Sequence, residues 1–465
     1  MQNVKCLHFV GIGGAGMSSL AVVYLSRGSG VTGSDIKEST NTSSLREQGA
    51  EVFIGHNEKN VIGADLVVVS SAIPSSNCEV LEAKRRKLPI ISRAELLAFL
   101  MSEKDGIAIA GTHGKTTTTS MISLMLDKNG LDPTFLIGGE LNDIGSGAKH
   151  GKGKYLVAEA DESDGSLLCL KPKIAVLTNV EADHLDYYRS LREIEETFIN
   201  FLNQLPSDGY ALICGDHPVS KKLLSSLKGR YYIYGLGNDC HFQAKKIKLT
   251  IDRSQFDFCQ GEEKLGTVSL GIPGLHNVYN ALATISLGIL LGLAFEGCAR
   301  AIKDFSGVRR RFQYLGEAAN ITLVDDYAHH PSEVEATLKA ARTGNWNRVI
   351  TVFQPHRYTR TSHLHSDFGK AFFDADMVVI TDVYAADEEP IPGVDGKLIV
   401  DSILREEPYK NVAYLPKKAD ICDFLLSVLE EGDVLLTMGA GDVWMVGSEI
   451  LSELKNNASE KSALR

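Results

Sequence analysis

Twice in this chain an apolar run of β type ends in a glycine-rich loop that opens directly into a helical pattern. Leu7 to Val10 leads into Gly11-Ile12-Gly13-Gly14-Ala15-Gly16, and Gly106 to Ala110 leads into Gly111-Thr112-His113-Gly114-Lys115-Thr116. A strand, a tight turn and a helix whose N-terminus faces that turn make the first half of a βαβ unit, and the strand that completes such a unit returns parallel. The two loops therefore commit the chain to an α/β fold with parallel sheets. They also account for part of a glycine excess, 43 of 465 residues, about 9 % against a typical ~7 %.

A chain of 465 residues is longer than one hydrophobic core organises, and its length implies about three domains. The apolar runs divide it that way. Residues 1–101 alternate short runs (Leu7 to Val10, Leu66 to Val69, Pro89 to Ile91) with the helical stretches Ser18 to Ser26 and Ala94 to Leu100. Residues 102–308 begin at the second loop and continue through a helix Thr117 to Lys128 and the runs Tyr155 to Ala158 and Ile174 to Leu177. Short strands over Tyr210 to Gly266 and a helix Asn277 to Leu293 complete that section. Residues 309–465 carry a third series at Ile321 to Val324, Val349 to Phe353, Met377 to Ile380 and Val434 to Leu436.

Charge and cysteine usage narrow the function classes. With 48 basic against 59 acidic residues the net charge is -11, so nothing in the bulk electrostatics attracts nucleic acid or an anionic membrane surface. Hydrophobic residues at 44 % and charged residues at 23 % describe a folded, soluble chain, with disorder expected only in the polar tail Lys455 to Arg465. Eight cysteines stand singly, without zinc spacing, and read as buried, reduced thiols of a cytoplasmic protein. There is no signal-peptide pattern. The best apolar stretch, Ala281 to Phe295, is shorter than the ~20 residues that span a bilayer and reads as a core helix.

The first loop fits G-x-G-x-x-G in its strand-turn-helix context, and Asp35 follows where a ribose-binding acid is expected. Gly11, Gly13, Gly14 and Gly16 thus mark a diphosphate nucleotide site, for which NAD is one candidate. In the second loop, backbone amides from Gly111 to Gly114 can cradle phosphate oxygens, Lys115 can reach the terminal phosphates, and Thr116 can ligate magnesium. Its spacing is shorter than the common phosphate loop, since Ile109 stands at the first glycine position. Magnesium prefers hard oxygen donors. Glu159 ends one apolar run, followed by Asp161, Glu162 and Asp164, and His184 follows another; if both strands flank the loop strand, Thr116, Glu159 and His184 meet at one sheet edge.

Asn277 and Asn280 lie one helical turn apart and can hydrogen-bond a purine, although alone Asn277 reads as an N-cap. Arg309-Arg310-Arg311 either clamps phosphates or faces water, as charge runs usually do. The third section loads its strand ends with Asp325-Asp326-Tyr327-Ala328-His329-His330-Pro331, Gln354 to Arg360 and Gly439 to Asp442. Arg357 and Arg360, three apart, suit a carboxylate.

With these motifs in order, nearly the whole chain resembles the Mur ligase family of peptidoglycan synthesis. The resemblance rests on His8 to Met17, Gly33-Ser34-Asp35, Ser70-Ser71-Ala72-Ile73, Gly111 to Thr119, Glu159 to Asp164 and Asp183-His184-Leu185-Asp186. It continues through His276-Asn277, Arg310-Arg311-Phe312, Asp325 to Pro331, Gln354 to Arg360 and Gly439 to Asp442. It departs at Asn77-Cys78-Glu79, where the family usually reads Asn-Pro-Glu. The shortened Lys115 loop is the form this family uses.

The resemblance implies an N-terminal Rossmann-like domain for a UDP-sugar (1–101), a central phosphate-loop ATPase-type domain (102–308) and a C-terminal Rossmann-like domain for an amino acid (309–465). It implies an ATP-dependent ligase that joins L-alanine to the lactyl carboxylate of UDP-N-acetylmuramate through an acyl phosphate, with two magnesium ions for which manganese can substitute. Carried over by position, Gly11, Gly13, Gly14, Gly16, Asp35, Ser70 and Ser71 hold UDP rather than NAD. Gly111, Thr112, His113, Gly114, Lys115, Thr116, Thr117, Asn277, Asn280 and Arg311 hold ATP, and Thr116, Glu159 and His184 hold the metal. Asp326 is the third domain's contact with the ATP site, and together with Lys115, Glu159, His184 and Arg311 makes the catalytic set. His329, His330, Arg357 and Arg360 meet the amino acid, with either histidine a candidate for the base by residue type. The nearest alternative is the family branch that attaches a tripeptide to the same sugar. An NAD-dependent oxidoreductase leaves Lys115 and the acidic strand ends without a role, and a non-catalytic nucleotide-binding protein predicts binding without turnover. The oligomeric state stays open.

Overall fold

A computed structural model describes residues 4–143, 145–185, 187–386 and 388–463, with side chains to residue 457 apart from those at positions 140 and 141; Asp186 of the His184 motif lies outside the described residues. Three sheets follow one another along the chain. The first contains β1 (Cys6–Val10), β2 (Gly30–Asp35), β3 (Glu51–Ile54), β4 (Leu66–Val69) and β5 (Ile90–Ser92), in the order β3-β2-β1-β4-β5. All its pairings are parallel. A parallel sheet is covered on both faces, which is why Leu7 to Val10 has no polar alternation: all four residues are buried, His8 included.

The second sheet has ten strands: β6 (Asp105–Ala110), β7 (Thr134–Leu141), β8 (Ser146–Lys149), β9 (Tyr155–Glu159), β10 (Ile174–Leu177), β11 (Tyr210–Cys214), β12 (Arg230–Gly235), β13 (Phe242–Leu249), β14 (Ser254–Gln260) and β15 (Glu263–Leu270). Their order is β15-β14-β13-β12-β11-β10-β6-β9-β7-β8. The strand before the second loop is therefore flanked by the two strands that end at Glu159 and before His184. The third sheet contains β16 (Gln313–Ala318), β17 (Ile321–Asp326), β18 (Val349–Phe353), β19 (Met377–Ile380), β20 (Asn411–Tyr414) and β21 (Val434–Met438), in the order β16-β17-β21-β18-β19-β20. Only β16 is antiparallel there.

Two helices set the geometry of the site. Ala15–Ser26 starts from Gly14 and Lys115–Lys128 from Gly114, neither with a side-chain cap. Helices elsewhere are closed by Ser39, Ser92 and Ser190, whose hydroxyls accept from the first turn. The uncapped ends leave backbone N–H groups open at the carboxyl edges of the first two sheets, the arrangement that binds anions.

Several expectations need correcting. The stretch Ala281 to Phe295 is not one helix: Leu275–Leu290 ends at Gly292, whose φ of 87° breaks it, and a second helix begins at Phe295. Asn277 is not an N-cap, because that helix starts two residues earlier from Gly274. Cys78 and Cys169 are exposed, although all eight thiols are free. The polar tail continues as helix from Trp444 to Ala463. Among the described residues no helix is long and apolar enough to cross a membrane.

Candidate active site

Residues from all three sheets line one chamber enclosing about 1700 Å³ of open space. The first unit contributes Gly14, Gly16, Ser70, Ser71 and Arg93; the second, Thr112 to Thr116, Glu159 and His184; the third, Tyr327, His329, Arg357 and Arg360. A second cavity, of about 1230 Å³, lies on the other side of the phosphate loop and is lined by Thr117, Asn277, Asn280 and Asp326. His113, Gly114 and Arg311 line both.

At the centre, Lys115 Nζ donates to the carbonyls of Gly111 and Thr112 and to both oxygens of Glu162, at 2.7 and 2.9 Å. Burial alone lowers an ammonium pKa, but Glu162 and the neighbouring acids outweigh it and Lys115 stays charged. Thr116 Oγ1 donates to Glu159 Oε2 at 3.2 Å, and Glu159 Oε1 accepts the Gly138 N–H at 2.7 Å. Burial pushes the Glu159 carboxyl up, against Lys115 and Arg311. A half-buried carboxylate beside a threonine hydroxyl is a hard-oxygen pair that a divalent cation would hold ionised, so these residues fit magnesium. His184 joins them at the same sheet edge with a φ of 54°.

Glycine at 114 is a packing requirement. Its φ is 81°, and a Cβ there would stand 2.7 Å from Asn280 Oδ1. Asn280 in turn accepts from Thr118 Oγ1 at 3.1 Å and donates to Asn277 Oδ1 at 3.2 Å, so both amides are fixed beside the loop.

The first loop is organised by Asp35. Its Oδ2 accepts the Gly13 N–H at 2.8 Å and its Oδ1 accepts the Ile36 N–H at 2.8 Å. Gly11, Gly13 and Asp35 shape the turn without lining the chamber, whereas Gly14, Gly16, Ser70 and Ser71 line it. Beneath them Glu79 is fully buried and accepts from Ser34, Asn60 and the Asn57 N–H, with His8 at 3.6 Å. Burial pushes this carboxyl up, but the surrounding hydrogen bonds prevail and bring it to about 2. The Pro-to-Cys departure at position 78 thus leaves the adjoining glutamate in a built position.

The arginine run divides its work. Arg310 turns inward, from Nε to Asp325 at 2.9 Å and from its terminal nitrogens to the carbonyls of Gly441 and Gly439. Arg311 faces the two cavities, 3.8 Å from Glu333 and over the Tyr327 ring. Asp326 accepts the backbone N–H groups of Phe312 and Ala328, and burial raises its carboxyl to about 6.

The second and third units meet through polar contacts. Arg360 donates from Nε and a terminal nitrogen to Asp183 at 3.1 Å, both side chains being 8 % exposed. His113 Nδ1 lies 3.0 Å from Glu333 Oε1, while its Nε2 lies 3.1 Å from Ser332 Oγ and 3.5 Å from Glu181. Burial lowers the imidazole pKa, but the two carboxylates prevail and lift it to about 9, so His113 is an imidazolium. His113, Glu181 and His330 place ligand-type atoms within 4.8 Å of one another. Ser332 Oγ stands within 3.1 Å of all three and satisfies them without an ion. His330 belongs to this seam and lines neither cavity.

Arg93, Glu181, Ser332 and Glu333 carry no site signal in the sequence, and Glu162 and His356 are not singled out within their motifs. Ser92-Arg93-Ala94-Glu95 reads as a capping box, and the box is present, but Arg93 also reaches Asp161 at 3.7 Å across the first two units. Glu333 is the third residue of its helix and bonds back to the His329 and His330 N–H groups, a signal visible in the sequence only as a cap.

Fold and site together define a phosphate-loop enzyme in which three α/β units line one chamber. The sequence matches the Mur ligase family in three consecutive parts: its catalytic domain over residues 7–105, its middle domain over 109–288 and its glutamate ligase domain over 310–441. The chain belongs to the Mur ligase family. A UDP-N-acetylmuramate-L-alanine ligase of Pelotomaculum thermopropionicum is 50 % identical over 458 residues, covering 98 % of this chain and 99 % of that one. The enzyme of the same name from Desulforamulus reducens is 49 % identical, with coverage of 97 % and 98 %. The crystal structure of the UDP-N-acetylmuramate-alanine ligase of Thermotoga maritima superposes with a TM-score of 0.83 at 29 % identity, over 98 % of this chain and 100 % of that one. A murein peptide ligase of Psychrobacter arcticus gives 0.72 at 25 % identity, over 97 % and 99 %.

Proposed function

We propose that this protein is the ATP-dependent ligase that joins L-alanine to the lactyl carboxylate of UDP-N-acetylmuramate, a cytoplasmic step of peptidoglycan precursor synthesis. The observation that carries this reading is the shared chamber: the first glycine loop, the phosphate loop and the arginine-bearing strand ends of the third unit all open into it. Relatives near 50 % identity along their full length carry that name, and the greater likeness to the alanine enzyme than to the murein peptide ligase argues against the tripeptide branch.

We assign residues 1–101 to the nucleotide sugar, 102–308 to ATP and 309–465 to the amino acid. A carboxylate and an amine do not condense in neutral water, so the γ-phosphoryl group of ATP is first transferred to the carboxylate, and the amine then displaces phosphate. Such chemistry depends on positioning and on neutralising phosphate charge. Lys115 is already charged and immobilised by Glu162; in the working complex its N–H donors turn to the terminal phosphates. Amides at the uncapped start of Lys115–Lys128 hold the phosphate chain. Arg311 lies between the two cavities, where it meets charge developing on the transferred group. Thr116, Glu159 and His184 would hold magnesium, which supplies further neutralisation of the phosphate oxygens when bound. Asn277 and Asn280, beside Asp326 in the second cavity, receive the adenine end. Gly14, Gly16, Ser70 and Ser71 receive the diphosphate of the sugar, and Arg357 with Arg360 the amino-acid carboxylate.

The test is phosphate release from ATP with each substrate omitted in turn. Release that needs both UDP-N-acetylmuramate and L-alanine supports the reading, and release indifferent to either sinks it.

A further inference from the structure

Hydrogen bonding fixes which nitrogen carries the proton on two of the histidines around the chamber, and so decides which of them can accept one. His356 Nδ1 lies 3.2 Å from an Arg360 terminal nitrogen. A guanidinium only donates, so this Nδ1 accepts and the proton of the neutral ring is on Nε2. His330 has both nitrogens engaged, Nδ1 at 2.8 Å from Ser332 Oγ and Nε2 at 3.4 Å from the Ala182 carbonyl. His329 differs from both. Its Nδ1 is 2.9 Å from the Tyr327 carbonyl oxygen and 3.3 Å from Glu333 Oε2, two groups that only accept. The proton is therefore on Nδ1, and Nε2 keeps a bare lone pair.

That Nε2 makes no hydrogen bond among the described residues, and His329 lines the chamber together with Lys115, Glu159, Arg357 and Arg360. The groups facing the ring are Glu333 from the helix that follows His329, Asp183 from the loop after β10, Arg360 from the next helix and His356 after β18. Burial dominates, with Arg360 on the same side against Glu333 and Asp183, and lowers the imidazole to about 4, so the ring is neutral when substrates arrive.

We infer that His329 is the catalytic base, whose Nε2 takes the proton from the amino-acid nitrogen during attack on the acyl phosphate. The inference rests on the ligase reading above. The amino acid sheds its first ammonium proton to solvent, and its nitrogen lone pair then forms the C–N bond. The adduct nitrogen now carries two hydrogens and a positive charge, which makes it far more acidic than the free ammonium. A weakly basic imidazole can therefore deprotonate it. One N–H electron pair stays on nitrogen, the proton passes to Nε2, and the C–O bond to the phosphoryl group breaks with its electrons on inorganic phosphate. Glu333 and the Tyr327 carbonyl, already on the Nδ1 side, stabilise the imidazolium that results, as a carboxylate behind a catalytic histidine does.

The test uses the full-length enzyme and its His329→Gln and His329→Asn variants with two nucleophiles. L-alanine needs the base; hydroxylamine, uncharged at neutral pH, intercepts acyl phosphates without one. The variants are expected to lose roughly a hundredfold or more in kcat with L-alanine, with KM for ATP and for the nucleotide sugar within about threefold of the parent. ATP-dependent hydroxamate formation on the sugar is expected to persist in them. Ligation in both variants within about threefold of the parent overturns the assignment. So does parallel loss of hydroxamate formation, which would place His329 before the amine step. Absence of hydroxamate in the parent enzyme would instead count against the acyl-phosphate reading itself, so the two failures are distinguishable.

Discussion

The contact between Arg360 and Asp183 ties the third unit to the second, and Asp183→Asn should loosen it measurably. Three hydrogen bonds between 3.1 and 3.3 Å connect the two groups, and each side chain is 8 % exposed. Removing one partner of a buried pair costs about 3–5 kcal/mol, because the other charge is left without compensation. Asparagine keeps one accepting oxygen, so the lower end, about 3 kcal/mol, applies. Asp183 lies in a loop of the second unit and Arg360 in a helix of the third, so the loss falls on their docking rather than on either core. About 3 kcal/mol is roughly a hundredfold in the ratio of docked to undocked forms. Small-angle scattering of the ligand-free protein should show a larger radius of gyration for Asp183→Asn. Asp183→Asn/Arg360→Met should recover part of the compaction, since replacing both members of a buried pair is often nearly neutral, although activity stays low because Arg360 lines the chamber. A single variant as compact as the parent would refute this account of the seam.

Three further outcomes follow from the site. Lys115→Ala should abolish turnover while calorimetry still detects nucleotide-sugar binding, since that loop lies on the first unit; undiminished turnover would remove Lys115 from its role. Chelation of divalent cations should stop phosphate release yet leave far-UV circular dichroism and the melting temperature unchanged, because strands rather than an ion hold Thr116, Glu159 and His184 in place; a fall in melting temperature would contradict this. Glu79 is held at about 2 against an ordinary ~4.3, a difference worth about 3 kcal/mol when the group is ionised. Because its folded pKa is depressed, that stability is present above about pH 4 and is lost as pH falls towards 2. Glu79→Gln should therefore be less stable than the parent at pH 7 by about 2–3 kcal/mol, with the gap closing in that acid window. A gap of constant size would show that the hydrogen bonds do not act through the charge.

The sequence made the phosphate site legible because its ligands are adjacent in sequence to strands whose type is unambiguous. Gly111 to Thr116 follows a buried strand, and Glu159 and His184 follow the two strands that flank it. The third-unit residues were readable as a group, at the ends of β17 and β18, but not in their individual roles. Arg360 and His329 look equivalent to their neighbours until distances show Arg360 bonded to Asp183 and His329 with one nitrogen free. Arg310 and Arg311 are indistinguishable in a run of three, yet one binds the carbonyls of a glycine loop and the other faces the cavities. Glu162 was one acid in a cluster of four; only the fold selects it as the partner of Lys115. What stayed hidden in each case is a contact between residues far apart in the chain, which neither periodicity nor local spacing encodes.

The two seams between units differ in kind, and the difference suits the order of events. The cores of the first and second units are continuous: Leu20, Val23, Leu97 and Met101 belong to one buried cluster with Ala108, Leu136 and Ala148. Burying such apolar surface favours a fixed arrangement, so the nucleotide-sugar loop and the phosphate loop keep their separation. The seam described above between the second and third units is made of charged and polar groups: Arg360 with Asp183, His113 with Glu333, and Ser332 with Glu181. Those contacts can be remade with water when the units part, so opening exposes little apolar surface. The phosphoryl donor and its acceptor thus sit in a stable frame, and the unit assigned to the amine is the one able to move. His113 couples the two, because the imidazolium that grips Glu333 belongs to the phosphate loop.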